Sequence, residues 1–306
     1  METRAAPAGV TFRPLEERDA AVMTALRREA DDTAVTSEAG WLNWWKGRKP
    51  REQRLELAAE ADGRVVAIGV SGLDLSTSVA GASWASVVVT EAYRRQGVGT
   101  ALHDRLLDHL RAVGAGKASS FMRGTEEGER WANARGWTRQ LAGPLIALDP
   151  RDAPEPTPPE GFRCVSMDEF GDPRAAFELV RVAILDEPRP VPADNLEYDE
   201  FIRQWEDPDL DRDASALVLH GDRPVAFAFV RVGGSRASHG GTATLPDYRG
   251  RGLATAAKCF LLRAVAAKGV TLITTSNAEE NAPIRAINRK LGFKPIGEHV
   301  IVGRDV

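Results

Sequence analysis

Two stretches of this chain repeat one order of apolar and polar positions. The first begins with Ser83-Trp84-Ala85-Ser86-Val87-Val88-Val89, passes through AYRRQGVGTA at 92–101, and continues with leucines at 102, 106, 107 and 110. β-Branched residues suit extended backbone, and the leucine spacing predicts a helix with one apolar face. The second begins with Gly240-Gly241-Thr242-Ala243-Thr244, passes through DYRGRGLATA at 247–256, and continues with Phe260, Leu261, Ala264 and Val265. Arg94 and Arg249 stand 155 residues apart (249 − 94). Each helix is followed by a further strand, a further helix and an aromatic after glycine: ARGW at 134–137 and KLGF at 290–293.

The earlier parts of the halves match as well. Val10–Arg13 and Gly161–Val165 read as opening strands, each before an acidic helix start. GRVVAIGVSGL at 63–73 and DRPVAFAFVRV at 222–232 read as hairpin returns, with a charged turn before an apolar strand. Between the halves lies DPRDAPEPTPPEG, with five prolines in thirteen residues. Proline continues neither a helix nor a central strand, so this stretch reads as a linker. The expected domains are therefore 1–150 and 161–306, joined by 151–160.

Composition narrows the class. With 306 residues, 43% hydrophobic and 27% charged, the chain is long enough for two globular cores. A net charge of −4 argues against bulk nucleic-acid or membrane binding. Two distant cysteines, Cys164 and Cys259, form no ligand spacing, so neither a metal site nor a disulfide is expected. The first twenty residues carry no signal-peptide apolar core, and no apolar run is long enough to span a membrane, so the cytoplasm is the expected compartment.

Both glycine turns open a helix. The first amides of a helix lack intrahelical partners and carry the positive end of its dipole, and glycine lets an anion approach them closely. Each turn therefore reads as a phosphate cradle. Neither has the lysine-containing nucleotide loop, and the glycine spacing fails the dinucleotide fingerprint. A helix start in which the glycines serve only packing is the alternative, and its occurrence twice makes that reading weaker.

Arg94-Arg95-Gln96-Gly97-Val98-Gly99 and Arg249-Gly250-Arg251-Gly252-Leu253-Ala254 match [QR]-x-x-G-x-[GA]. In this setting the chain resembles the GCN5-related N-acetyltransferase (GNAT) superfamily, twice over and along nearly its whole length. Its tandem layout is similar to that of two-domain actinobacterial acetyltransferases, the mycothiol synthases among them. The resemblance implies an α/β (α+β) fold of two tandem domains, each a mixed, mostly antiparallel sheet flanked by helices. It implies acetyl-CoA as cofactor. The turn residues Arg249 to Thr255 (Arg249, Gly250, Arg251, Gly252, Leu253, Ala254, Thr255) would hold its pyrophosphate. So would their counterparts Arg94, Arg95, Gln96, Gly97, Val98, Gly99 and Thr100. Thr242, Ala243, Thr244 and Leu245, and likewise Val87, Val88 and Val89, would pair with the pantetheine arm.

The halves are unequal. NAEENAPIRAINRKLGF at 277–293 resembles a family stretch in which Asn277, Asn281 and Asn288 match cofactor-side positions. Asn281 also reads as a helix N-cap, and both roles can hold. Many relatives have tyrosine where this chain has Asn288, so a side-chain general acid is in doubt. In the first half Thr125 and Ala132 fall at the places of Asn281 and Asn288. Chemistry is therefore expected in the second half, with the first binding CoA or serving as scaffold. His239, just before the second strand run, is the candidate general base; a loop histidine is its plain alternative. Asp186, Glu187 and Tyr198, in an acidic stretch before the second sheet, are candidate acceptor contacts, against the reading of a solvated helix face. Trp41, Trp44 and Trp45 read as packing, and Cys259 as a core thiol. The expected activity is direct acetyl transfer from acetyl-CoA to a primary amine of a small, cationic molecule, by a monomer or homodimer. Transfer of another acyl group, or a non-catalytic acyl-CoA-binding module, are the rival readings.

Overall fold

The structure is a computed structural model that describes residues 6–306. Residues 1–5 lie outside the described residues. In chain order the elements are β1 (Val10–Pro14), α1 (Ala20–Ala30), α2 (Glu38–Lys46), β2 (Leu55–Ala61), β3 (Arg64–Leu73), β4 (Ala82–Val89), α3 (Val98–Ala112), β5 (Lys117–Arg123), α4 (Glu126–Asn133) and β6 (Thr138–Leu148). They continue with β7 (Phe162–Ser166), α5 (Met167–Phe170), α6 (Pro173–Ala183), α7 (Tyr198–Trp205), β8 (Ala216–His220), β9 (Arg223–Gly233), β10 (Arg236–Thr244), α8 (Leu253–Ala267), β11 (Leu272–Ser276), α9 (Ala282–Lys290) and β12 (Lys294–Asp305).

The chain forms two compact units that differ from the linear division expected from sequence. Among the described residues the first contains 6–34, 38–142 and 299–306; the second contains 35–37 and 143–298. The proline stretch is not the boundary. Pro150–Asp152 forms a short 3₁₀ turn, and Ala153 is buried in the second unit's core. The physical reason is strand pairing. An unpaired strand edge seeks a partner. The edge of β5 takes residues 299–305 antiparallel, and the edge of β11 takes 145–148 antiparallel.

The first unit's sheet runs β1-β2-β3-β4-β5 and ends on residues 299–305 of β12. All pairs are antiparallel except β4 with β5. Helix α3 packs on it through Leu102, Leu106, Leu107 and Leu110, all buried. The tryptophans of α2 pack as expected: Trp41 stacks on Trp45 with ring centres 5.9 Å apart.

The second unit's sheet runs from residues 145–148 of β6 through β11, β10, β9 and β8 to β7, antiparallel except β10 with β11. Helix α8 packs on β8, β9 and β10 through Leu253, Leu261, Leu262 and Val265, against Leu217, Leu219, Val225 and Ala226. Each such leucine contributes roughly 1.5–3 kcal/mol on burial. Cys259 is a free, buried thiol, as read from sequence. Among the described residues no helix is long and apolar enough to cross a membrane.

Candidate active site

The site forms where two parallel strands part. β10 and β11 pair only over Arg236–Ser238 and Leu272–Thr274. Beyond that point β10 carries one extra residue: His239 still faces Val230, but Gly241 faces Phe229, which leaves Gly240 as a bulge. A bulge bends the strand and re-aims its neighbours. Gly240 to Thr244 on one side and Thr275 to Asn277 on the other line a cleft of about 1000 Å³.

The glycine turn closes one end of that cleft. Gly250 and Gly252 have φ of +75° and +80°, a region that disfavours side chains. A Cβ at either position would meet nothing within 4 Å, so these glycines do not serve packing. The first intrahelical bond of α8 runs from Ala256 N to Gly252 O at 3.0 Å, and no side chain caps the helix. Gly250, Gly252, Leu253, Ala254 and Thr255 all line the cleft. Uncapped amides at a positive helix end, reached across bare backbone, fit a diphosphate. The unpaired part of β10 fits an extended arm that takes backbone hydrogen bonds. The residues present therefore fit an acyl-CoA.

The arginines serve the turn differently from the expectation of free phosphate donors. Arg249 Nε donates to Thr244 O at 3.2 Å, bracing the strand end, and its Nη2 lies 2.5 Å from Asp186 Oδ2. Arg251 donates to Asp247 O at 3.3 Å and does not line the cleft. Leu245 is buried in the core rather than in the cleft.

The first unit builds the same turn. Arg95 and Gly97 have φ of +66° and +86°, Ala101 N donates to Gly97 O at 2.9 Å, and Arg94 Nε donates to Val89 O at 3.1 Å. Three things differ. β4 pairs with β3 in unbroken register, without the bulge. The Arg135 guanidinium contacts the Thr100 hydroxyl and stacks 4.3 Å from the Trp131 ring. A Cβ on Gly99 would lie 3.2 Å from Val89 Cγ2 and 3.9 Å from Trp131. Val87, Val89 and Trp131 thus stand against the helix start at Gly99. Val88 packs in the core on α1 and α2.

Of the three asparagines, Asn277 and Asn281 line the cleft and Asn288 does not. Asn281 caps α9, accepting from Ile284 N at 3.5 Å. Asn288 is buried, and its Nδ2 donates to Asn277 Oδ1 at 2.6 Å, so it holds Asn277 from behind.

His239 lies in β10 beside the bulge and is buried, not a loop residue. Its Nε2 is 2.8 Å from Thr242 Oγ1 and 3.3 Å from Lys258 Nζ. Burial, then the Lys258 charge, holds the imidazole well below its usual pKa. Burial brings Lys258 down to about 7. Lys258 was missed in the sequence, although a lysine inside the apolar run LATAAKCFLLRAV is a readable signal.

The remaining wall is largely apolar: Phe201 and Trp205 of α7, Leu210, and the stacked rings of Phe227 and Phe229 at 4.4 Å. Asp186 and Glu187 line the cleft, but each is paired, with Arg249 and with Arg189 at 2.7 Å. Tyr198 is not brought to the cleft. It packs on α6, with Arg174 4.1 Å above its ring and Phe177 edge-on at 5.2 Å. Among the described residues no group of three or more His, Cys, Asp or Glu is placed to hold a metal ion.

A splayed parallel pair and an uncapped glycine turn recur in both units, and the second adds a strand bulge, an arrangement that fits an acyl-CoA-dependent transferase. The chain belongs to the acetyltransferase (GNAT) family, whose model matches residues 20–132 and again 180–293. Members of that family use acetyl-CoA, and the chain is an acyl-CoA-dependent N-acyltransferase by class. It is 26% identical over 240 residues to a mycothiol acetyltransferase of Saccharomonospora viridis, covering 75% of this chain and 76% of that protein. Two solved structures share the fold. A tandem GNAT protein from the clavulanic acid biosynthesis pathway matches with a TM-score of 0.73 and 22% identity over 97% of this chain and 98% of that one. A GCN5-related N-acetyltransferase from Sphaerobacter thermophilus matches with a TM-score of 0.71 and 17% identity over 98% and 97%.

Proposed function

We propose that the second unit transfers an acetyl group from acetyl-CoA directly to the primary amine of a small molecule, and that the first unit is not the seat of chemistry. The observation that carries this reading is the asymmetry between the two turns. In the second unit the turn faces an open cleft beside a strand bulge; in the first it faces Trp131, Arg135 and two valines.

When bound, acetyl-CoA supplies the activated thioester. The amides of Leu253, Ala254 and Thr255 would hold its diphosphate, and the free edge at Thr242–Thr244 its arm. Asn277 and Asn281 would flank the arm, with Asn277 fixed by Asn288. His239 would accept the amine proton, and a backbone N–H at the bulge would donate to the developing oxyanion. A neutral amine must form inside the cleft for attack to occur. The paired state of Asp186 and Glu187 leaves little uncompensated negative charge, so the apolar wall of Phe201, Trp205 and Phe229, more than charge, supports acceptor binding.

The test compares Gly252→Val with Gly97→Val. Free CoA is measured after mixing acetyl-CoA with a panel of primary amines, and CoA affinity is measured by calorimetry. Loss of both activity and affinity in Gly252→Val alone is expected. Loss confined to Gly97→Val would move the chemistry to the first unit, and wild-type affinity in both variants would remove the cradle from the account.

A further inference from the structure

The cleft holds two buried basic side chains with no acidic partner. His239 is 7% exposed and Lys258 is 1% exposed. Both line the cleft, and their nitrogens are 3.3 Å apart. Lys258 otherwise faces the ring of Phe293, 5.6 Å from its centre. Among the described residues, no carboxylate pairs with either.

The surrounding titratable groups do not supply the missing charge. Cys259 follows Lys258 on α8, and burial raises its thiol above the usual range. Arg231 of β9 lines the same cleft but is engaged by Asp207 at 3.3 Å. Lys290 of α9 acts on Cys259. The carboxylates of the cleft, Asp186, Glu187 and Glu280, are all exposed at its mouth. Two cations this close in a dry site repel strongly, so the pair holds at most one proton near neutral pH.

The first unit lacks this arrangement. His103 occupies the place of Lys258 on α3, but Trp137 Nε1 donates to its Nε2 at 3.0 Å and Asp104 lies 3.2 Å from its Nδ1. By strand register Ala85 stands where the second unit has His239. Burial lowers the His103 pKa, the Asp104 carboxylate opposes this, and the nearby basic groups are the arginines Arg304 and Arg135 rather than a lysine.

The geometry points to His239 and Lys258 acting as one base, in which Lys258 is the terminal acceptor of the proton that the amine gives up. This rests on the second unit being the acetylating one. The step moves one proton. It leaves the acceptor's ammonium nitrogen, where the N–H electron pair remains as the lone pair needed for attack. It crosses His239 Nε2 and ends on the lone pair of Lys258 Nζ. The amine goes from cation to neutral, the pair from neutral to one positive charge, and solvent takes the proton when the cleft next opens. Thr242, whose hydroxyl reaches the same Nε2 and lines the cleft, gives the proton a route in. Lys258 acts through His239: burial keeps the imidazole from holding the proton, so it can only hand it on to a neutral lysine, and a charged lysine cannot take it. The tuned lysine near 7 suits that task.

The test has an arm that needs neither cofactor nor turnover. Imidazole Cε1 signals are followed by NMR over pH in the free protein, with His239→Gln to assign the His239 signal. In the wild type that signal should sense one titration near pH 7 and protonate only well below the usual histidine range. In Lys258→Met the step near 7 should vanish and the imidazole should protonate at higher pH than in the wild type. An unchanged titration in Lys258→Met would overturn the coupling. The second arm is the pH dependence of kcat, with CoA affinity measured alongside. Lys258→Met should move the acidic limb to lower pH. Lys258→Arg, a fixed cation, should lower kcat about a hundredfold at all pH, the size of a lost general base. Either variant with a wild-type profile would overturn the catalytic role. An absence of acetylation by the wild type would instead defeat the reading of the second unit, while the NMR arm still reports on the pair.

Discussion

Lys258 makes a stability prediction that runs against intuition for a substitution in a cleft. In the unfolded chain a lysine titrates near 10.5, and in the fold burial brings Lys258 down to about 7. The unfolded chain therefore binds a proton that the folded chain refuses. Stability rises with pH wherever that holds, here between about 7 and 10.5, and the full penalty is present below 7. At about 1.4 kcal/mol per tenfold, the upper bound of the penalty is about 5 kcal/mol. Structural relaxation and water entry reduce such costs, and about 2–3 kcal/mol is a reasonable expectation at pH 7. Lys258→Met keeps the length and apolar stem while removing the charge. At roughly 2–4 °C per kcal/mol for a unit of this size, it should raise the melting temperature by about 5–10 °C at pH 7. Thermal melts of both proteins from pH 6.5 to 10.5 provide the assay. Their difference isolates Lys258, because groups such as Lys268, which Asp211 and Asp213 hold above the ordinary lysine range, titrate equally in both. The gap should close as pH rises toward 10. A constant gap, or a variant that melts below the wild type at pH 7, would refute the burial argument.

Other outcomes follow from single contacts. Gly143→Ala should destabilise the second unit by roughly 1–3 kcal/mol, since its Cβ would lie 2.0 Å from the Asn277 carbonyl oxygen, which is backbone and cannot step aside; chemical denaturation measures it, and an unaffected midpoint would contradict the packing. Asn281→Ala should cost about 1 kcal/mol through loss of the α9 cap and also weaken CoA binding; a stability loss without an affinity change would confine Asn281 to capping. Asp186→Asn should change stability by less than about 1 kcal/mol, because the pair with Arg249 is exposed at 47% and 61%, yet tighten CoA several-fold at low salt by freeing the guanidinium. Calorimetry at two salt concentrations reads that difference, and equal affinities would show that Arg249 only braces the strand.

Local pattern carried much of this structure. The two turns, the strands before them and the helices after them were readable because each depends on a few neighbouring residues: β-branched runs, glycines with positive φ, leucines at helical spacing. His239 was readable as a titratable group beside the reacting strand. What was hidden depends on pairing at a distance. Nothing local says that residues 299–305 complete the sheet of the first unit, or that 145–148 complete that of the second. The acids at 186 and 187 read as acceptor contacts because their arginine partners were invisible, and Tyr198 did so because the packing of its ring on Arg174 and Phe177 was invisible too. Asn288 matched a cofactor position in sequence, but lies one layer behind it. The bulge at Gly240 appears only as a shift of register between two strands.

The most direct test of the account is amide hydrogen exchange with and without CoA. If the second unit holds the cofactor on its helix amides and free strand edge, protection should appear at 240–244 and 250–255 when CoA is added, and residues 95–100 should stay as they were. Protection confined to 95–100, or none in either turn, would contradict it.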